Sequence, residues 1–224
     1  KDLPLNIEKP EMQQDTSFVP IFIIIIIASI IIILLARFRA QRLWRFWFFL
    51  TIILTLTISF NAFIPQIIAI ALALFLAYIK VYKPNVIVHN FTELFIYGAL
   101  AALFVHVLNI LSITILLILI SCYDMYAVWK SKHMIKLAKF QTESKVFAGL
   151  LIPYIPKGAV KKPIKGKKYK KVKIQTGILG GGDIGFTLLF SAVILKTFGM
   201  PQAIFSSVII TGALLVLFLF SKKN

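Results

Sequence analysis

The sequence predicts an all-α polytopic membrane protein, and three observations lead to this fold class. Of the 224 residues, 59 % are hydrophobic and 20 are Phe, whereas apolar residues make up about half of an average soluble domain. Several uninterrupted apolar runs approach the roughly 20 residues with which a helix crosses a bilayer. The Lys and Arg residues cluster between these runs, as they do in the loops that join transmembrane helices.

We predict seven transmembrane helices within a single transmembrane domain that covers residues 1–224. Five spans fall within residues 18–129, a cytoplasmic basic loop covers residues 130–176, and the last two spans fall within residues 177–220. In chain order, the predicted spans are residues 18–36, 44–63, 67–82, 91–105, 110–129, 177–198 and 202–220.

Residues that interrupt helices or favour interfaces place the ends of these spans. Pro65 and Pro84 lie in the predicted turns before and after the third span. Gly199 and Pro201 end the sixth span, because Gly and Pro interrupt helices. Aromatic side chains at residues 44–49 form a belt at the start of the second span, which is typical of a membrane–water interface.

The distribution of basic residues predicts the orientation of the chain. If the Arg-rich loop at residues 37–45 is cytoplasmic, alternation of the spans leaves only Lys1, Lys9 and Lys196 on the outer side. Lys80, at the end of the third span, then belongs to the cytoplasmic cations. The positive-inside rule therefore predicts an outside N-terminus and a cytoplasmic C-terminus. It also accounts for the net charge of +17 without a nucleic-acid partner.

The remaining polar features indicate lipid contacts and no cofactor. The Lys-rich run at residues 161–173 is typical of segments that bind anionic headgroups. Cys122 is the single cysteine, which excludes a multi-cysteine metal site. His89, His106 and His133 lie apart, at span ends or in loops, and do not form a metal-ligand pattern.

Two aspartates lie within the predicted spans at a similar depth. Asp124 precedes Lys130 by six residues, which places it about 9 Å inside the cytoplasmic end of the fifth span. Asp183 follows Lys173 by ten residues, and the sixth span runs outward. A charge within lipid costs several kcal/mol unless it is paired, hydrated or neutralised, so such acids are candidate functional residues. Glu93 lies at the start of the fourth span, where a negative charge suits the helix dipole, and we interpret it as structural.

Two carboxyl groups at one depth can hydrolyse a peptide bond. Neighbouring carboxyl groups cannot both ionise cheaply, so they share a proton. The ionised group accepts a proton from the attacking water, and the protonated group donates to the oxygen of the peptide carbonyl. The alternative is a proton-coupled transporter or channel that uses both acids as a relay. A transporter typically shows inverted repeats, and we see no repeat in this sequence.

The residues around these two acids resemble a known family. Tyr123-Asp124 in one span, followed by Gly180-Gly181-Gly182-Asp183 in the next, is similar to the YD and GxGD motifs of the presenilin and signal peptide peptidase family. Residues 123–135 resemble the archaeal presenilin homologues in particular. The resemblance implies an intramembrane aspartyl protease that cleaves single-span transmembrane helices or signal peptides. It also implies that Asp124 and Asp183 are catalytic, and that Tyr123 and the three glycines Gly180, Gly181 and Gly182 shape the active site.

The resemblance covers residues 110–220 by motif and the earlier spans by hydropathy. Family members have nine spans, and an N-out chain of seven corresponds to their second to eighth helices. We therefore expect the sequence to be part of a longer protein, with the first and last helices outside it. The last helix of the family carries a Pro-Ala-Leu motif. Pro201-Gln202-Ala203 lies at the outer end of its span with different spacing and does not supply this motif.

Two segments of the long loop are predicted to be short strands, at residues 148–156 and 170–176. A substrate helix must unwind before its peptide bond is attacked, and its exposed backbone in lipid needs hydrogen-bond partners. If the unwound substrate pairs with the edge of a strand, the strand supplies these hydrogen-bond partners. The resemblance to the family implies such an arrangement. The candidate residues for this strand are Val172, Lys173, Ile174, Gln175 and Thr176.

Overall fold

A computed structural model describes residues 12–131, 133–144, 146–154 and 175–221. Within these residues the chain forms eight helices and one pair of strands. The elements are α1 (Phe18–Arg37), α2 (Gln41–Asn61), α3 (Gln66–Tyr82), α4 (Val86–Phe104), α5 (Ile110–Trp129), α6 (His133–Glu143), β1 (Gly149–Tyr154), β2 (Gln175–Gly180), α7 (Gly181–Phe198) and α8 (Met200–Ser221).

The apolar helices agree with the predicted spans. Among the described residues, α1, α2, α4, α5 and α7 are long and apolar enough to cross a membrane, and α3 and the Met200–Val216 part of α8 are shorter apolar helices. These seven helices correspond to the seven predicted spans, and the fold class is confirmed. The eighth helix, α6, lies within the predicted basic loop at residues 130–176, which therefore contains a helix, the strand β1 and the start of β2.

Side chains fix where two of the central helices begin. The Asn85 carboxamide accepts a hydrogen bond from the backbone N–H of Ile87 at 2.9 Å and caps α4. The Asn109 carboxamide accepts one from the N–H of Ser112 at 2.8 Å and caps α5. Asn is a favoured N-cap residue because its side chain satisfies a backbone donor that lacks a partner within the helix. Since α4 and α5 hold residues of the candidate site, these caps help to set its position.

The interior consists of two apolar clusters. One lies between α1, α5 and α7 and has Leu116 and Val193 fully buried at its centre. The other lies between α2 and α3, where Ala69, Ala73 and Ala77 are fully buried. Small residues repeated every fourth position bring two helix backbones close together. Helix α4 packs against both α2 and α7, so it connects the two clusters.

The two strands pair antiparallel and lead directly into α7. Gly149 pairs with Gly180, Leu151 with Ile178 and Tyr154 with Gln175. The predicted strand at residues 148–156 is confirmed as β1. The second strand reaches further along the chain than predicted, while residues 170–174 lie outside the described residues.

The sixth span was predicted to begin at Gly177, and the structure corrects this boundary. Gly177–Gly180 continue β2, and the helix begins at Gly181. Glycine is a poor helix former because it loses the most backbone entropy on ordering. The closely spaced glycines therefore allow the chain to remain extended until backbone pairing with β1 ends.

Candidate active site

Asp183 lies at the junction of strand and helix, in the first turn of α7. Its side chain is exposed at the surface of the described residues. Gly180 is the N-cap residue of α7, and a Cβ atom on Gly180 would lie 3.1 Å from Asp183 Oδ2. The carboxylate thus folds back over Gly180, and a side chain at this position would press on the carboxylate.

Asp124 lies on α5, which packs against α7. Its side chain is half-buried, and it is close enough to Asp183 for the two carboxyl groups to interact electrostatically. The neighbouring Tyr123 hydroxyl shares a hydrogen bond with Nε2 of His133 at 3.1 Å, at the start of α6. Tyr123 therefore connects the helix of Asp124 to the segment that follows it.

Neither carboxylate is used in a structural contact within the described residues. No hydrogen bond or ion pair there involves the side chain of Asp124 or Asp183, and the Thr187 hydroxyl donates to the backbone carbonyl of Asp183. An acid retained only for helix packing would be expected to bond to a hydroxyl or a backbone group. Two open carboxyl groups on adjacent helices are instead free to bind water or a substrate.

The glycines before Asp183 differ in how much space surrounds them. A Cβ on Gly181 would lie 2.6 Å from the Tyr97 hydroxyl of α4 and 3.1 Å from the Ala148 carbonyl oxygen, whereas a Cβ on Gly182 would meet only the Phe186 ring at 3.9 Å. The Gly181 N–H also donates to the Ala148 carbonyl at 3.2 Å. Of the three glycines, Gly181 is therefore the one whose backbone is most closely approached by α4 and by the residue before β1.

Two adjacent side chains of α4 hold β1 in place, and no sequence pattern indicated either role. Asn90 donates from Nδ2 to the Leu151 carbonyl at 2.8 Å and accepts from the Leu151 N–H at 2.9 Å. The Nε2 of His89 donates to the Gly149 carbonyl at 2.8 Å. His89 was predicted to lie at a span end without a specific role, but it is buried against the strand. Because β1 pairs with β2, these contacts also position the residues before Asp183.

A buried ion pair lies beneath His89 and involves two residues that the sequence analysis treated separately. Lys80 was counted among the cytoplasmic cations, and Glu93 was interpreted as structural because of the helix dipole; its structural role is instead that of an ion-pair partner. In the structure, Lys80 Nζ lies 2.5 Å from Glu93 Oε1, and the two side chains are 1 % and 2 % exposed. His89 Nε2 lies 3.8 Å from the same oxygen. A Lys and a Glu thirteen positions apart on separate helices show no local spacing pattern, so pairing could not be inferred.

Part of the predicted site lies outside the described residues. This applies to Val172, Lys173 and Ile174 of the predicted substrate strand, while Gln175 and Thr176 open β2. Among the described residues, no group of three or more His, Cys, Asp or Glu side chains could hold a metal ion. The structure thus brings together Asp124, Asp183 and the glycines around them.

Comparison with known proteins gives one match. A family model described as signal-peptide peptidase, presenilin aspartyl protease matches residues 4–220, almost the whole chain. No curated protein and no solved structure matches the chain significantly. The family match includes both aspartates and every apolar helix of the bundle.

The packing around the glycines predicts opposite responses to alanine at neighbouring positions. Gly181→Ala should lower the free energy of unfolding by about 1–3 kcal/mol, because the new methyl group overpacks against Tyr97 and Ala148. Gly182→Ala should be neutral or slightly stabilising, because alanine favours the first turn of a helix more than glycine does. Thermal unfolding of the purified variants in detergent, followed by circular dichroism, compares them. Equal destabilisation by both substitutions would contradict this assignment of the crowded position.

The side-chain bonds to β1 predict a local effect of Asn90→Ala. This change leaves the Leu151 N–H and carbonyl without partners, so the amides of Gly149–Tyr154 should exchange hydrogen faster by about tenfold or more. Asn85→Ala is the matched control, because Asn85 also lies at α4 and bonds to backbone but caps the helix instead of contacting β1. Hydrogen exchange measured by mass spectrometry should show faster exchange of β1 for Asn90→Ala alone.

Proposed function

The chain belongs to the signal-peptide peptidase and presenilin aspartyl protease family, and we propose that it hydrolyses peptide bonds within membrane-spanning helices by means of Asp124 and Asp183. Its substrates are single-span transmembrane helices or signal peptides. The observation that carries this proposal is the pair of open carboxyl groups on the packed helices α5 and α7, which have no structural partner among the described residues.

The two carboxyl groups supply the acid and the base of the reaction. They share one proton, because two neighbouring carboxylates repel each other. The ionised group removes a proton from a water molecule, whose oxygen attacks the carbonyl carbon of the peptide bond. The protonated group donates its proton to the carbonyl oxygen, and collapse of the tetrahedral intermediate releases the amine with a proton from the pair. Because the pair titrates as a unit, the two roles belong to the dyad rather than to one fixed residue.

The geometry of the strands favours one edge for the substrate backbone. On β1, the outward N–H and carbonyl of Leu151 already bond to Asn90, and Pro153 on the same edge has no N–H to donate. In an antiparallel pair, opposite residues direct their backbone groups either toward each other or outward together. Since Leu151 faces outward, its partner Ile178 also faces outward on β2.

The outer edge of β2 is therefore the candidate docking edge for an unwound substrate. By the same alternation, Thr176 presents its backbone groups at this edge, two residues before Ile178. No described residue forms a hydrogen bond with the outward backbone groups of these two residues. A substrate strand bonded here would lie beside Gly180 and the Asp183 carboxylate. The proposed docking edge therefore lies nearer to Asp183 along the chain than the predicted substrate strand, residues 172–176.

The dyad predicts the effect of removing either carboxyl group. Asp124→Asn and Asp183→Asn should each lower the rate of cleavage on the order of 10⁴-fold or to background, because neither amide can act as the base or share a proton. The measurement uses full-length protein in proteoliposomes with a fluorescently labelled single-span substrate. Asp15→Asn, which changes an exposed carboxyl group outside the site, is the control and should retain activity. Full activity in either dyad variant would exclude that residue from catalysis.

The outer edge of β2 predicts a specific effect of proline at Ile178. Ile178→Pro removes an outward N–H and leaves the bonds between β1 and β2 in place, so it should lower cleavage by about tenfold or more without changing thermal stability. Binding of a small transition-state mimic at the aspartates should change little, because such a mimic does not need the strand. Gly177→Pro is the matched comparison, since it removes an inward N–H and should destabilise the strand pair. Normal cleavage by Ile178→Pro would exclude this edge as the docking site.

A further inference from the structure

A basic cavity of about 860 Å³ lies at a junction that the proposed reaction does not use. It is formed where α1 ends, α2 begins and α6 packs against α1. Four cationic side chains, Arg37, Arg39, Lys136 and Lys139, line it, and Glu143 is the one acid in the described part of its lining. The cavity therefore has a strong excess of positive charge.

The cations of this cavity are not neutralised within the protein. None of the four forms a salt bridge or a side-chain hydrogen bond with a described residue, and all four are exposed. Arg39 also has a positive φ of 51°, a backbone conformation that residues other than Gly, Asn and Asp rarely adopt. The turn thus holds an arginine at the cavity in a conformation that arginine does not favour by itself.

The other wall of the cavity is apolar and lies beside lipid-facing surface. Ile33 and Ala36 of α1 and Leu137 and Phe140 of α6 contribute to this wall. On the same helix, large apolar side chains such as Leu34 are exposed, as expected for a helix in contact with acyl chains. Because α1 and α2 are both candidate membrane spans, their junction lies at the boundary between membrane and water.

A ligand that fits these walls has an anionic head and an apolar tail. We propose that this cavity binds the phosphate headgroup of an anionic phospholipid, with its acyl chains along α1. The guanidinium groups of Arg37 and Arg39 match the geometry of phosphate oxygens, and each cation near a membrane surface strengthens the binding of anionic lipid. The Lys-rich run at residues 161–173 lies outside the described residues, and the proposal does not depend on it.

The position of the cavity connects it to the helix that carries Asp124. His133 lines the cavity, and its Nε2 forms the hydrogen bond with the Tyr123 hydroxyl. The Ser131 hydroxyl contacts Nδ1 of the same ring. The cavity wall is thus in direct contact with the residue that precedes the candidate catalytic aspartate. Binding of lipid itself does not depend on the proposed protease activity and is tested without it.

The test is a comparison of lipid binding by native mass spectrometry of the purified full chain in detergent. Phosphatidylglycerol is the probe, and phosphatidylcholine with the same acyl chains is the zwitterionic reference. The double variant Arg39→Gln and Lys136→Gln should bind phosphatidylglycerol about 30-fold more weakly, because two headgroup cations are lost. The matched control, Arg42→Gln with Lys83→Gln, removes one Arg and one Lys that are exposed but do not line the cavity, and should change the affinity less than about threefold.

Two further arms distinguish the source of the phosphate and the location of the site. Inorganic phosphate should displace the lipid poorly, because it makes no contact with the apolar wall. If it displaces the lipid at equal concentration, the cavity is a site for free phosphate and not for lipid. A photoreactive phosphatidylglycerol should label peptides of α1 and α6 in the unmodified protein, a readout that needs no variant. Equal losses in the cavity and control variants, or labelling confined to other helices, would overturn the proposal.

Discussion

Backbone groups close to lipid must be hydrogen-bonded, and a single strand pair at that depth has two edges to satisfy. The two hydrogen bonds between the Asn90 carboxamide and the Leu151 backbone resolve this problem for β1, because a carboxamide presents a donor and an acceptor with the spacing of a neighbouring strand. With one edge closed by α4, β1 serves as a fixed support for β2. The start of α7 then follows from the end of that pairing.

This arrangement explains why rigid and open elements lie side by side. Gly181 is held between Tyr97 and Ala148, so the backbone before the aspartate cannot shift without a clash. The Asp183 carboxylate two residues later is exposed. A catalytic group needs a fixed backbone and a free functional end, and the strand-to-helix junction supplies both within three residues. Helix α4 contributes no acid to the proposed reaction, yet it packs against both β1 and α7.

The sequence predicted the helices and the two aspartates because their signals are local. Apolar runs, Pro and Gly interruptions and an acid within a span can be read from neighbouring residues. The contacts of Asn90 and His89 with β1 join residues about sixty positions apart, and no periodicity records such a distance. The end of β2 was misplaced for a different reason, because Gly177–Gly180 within an apolar run fits both a helix start and a strand. Backbone pairing with Gly149–Ile152 decides between the two.

The ion pair between Lys80 and Glu93 has a consequence for how the protein enters the membrane during synthesis. Each of these side chains, inserted alone on its own helix, would carry an uncompensated charge into lipid at a cost of several kcal/mol. Paired at 2.5 Å, they cancel much of that cost. Helices α3 and α4 are joined by a short turn at Lys83–Asn85, so they can leave the translocation channel together as a helical hairpin. Biogenesis of the bundle thus favours insertion of these two helices as one unit, with the partner of each charge already beside it.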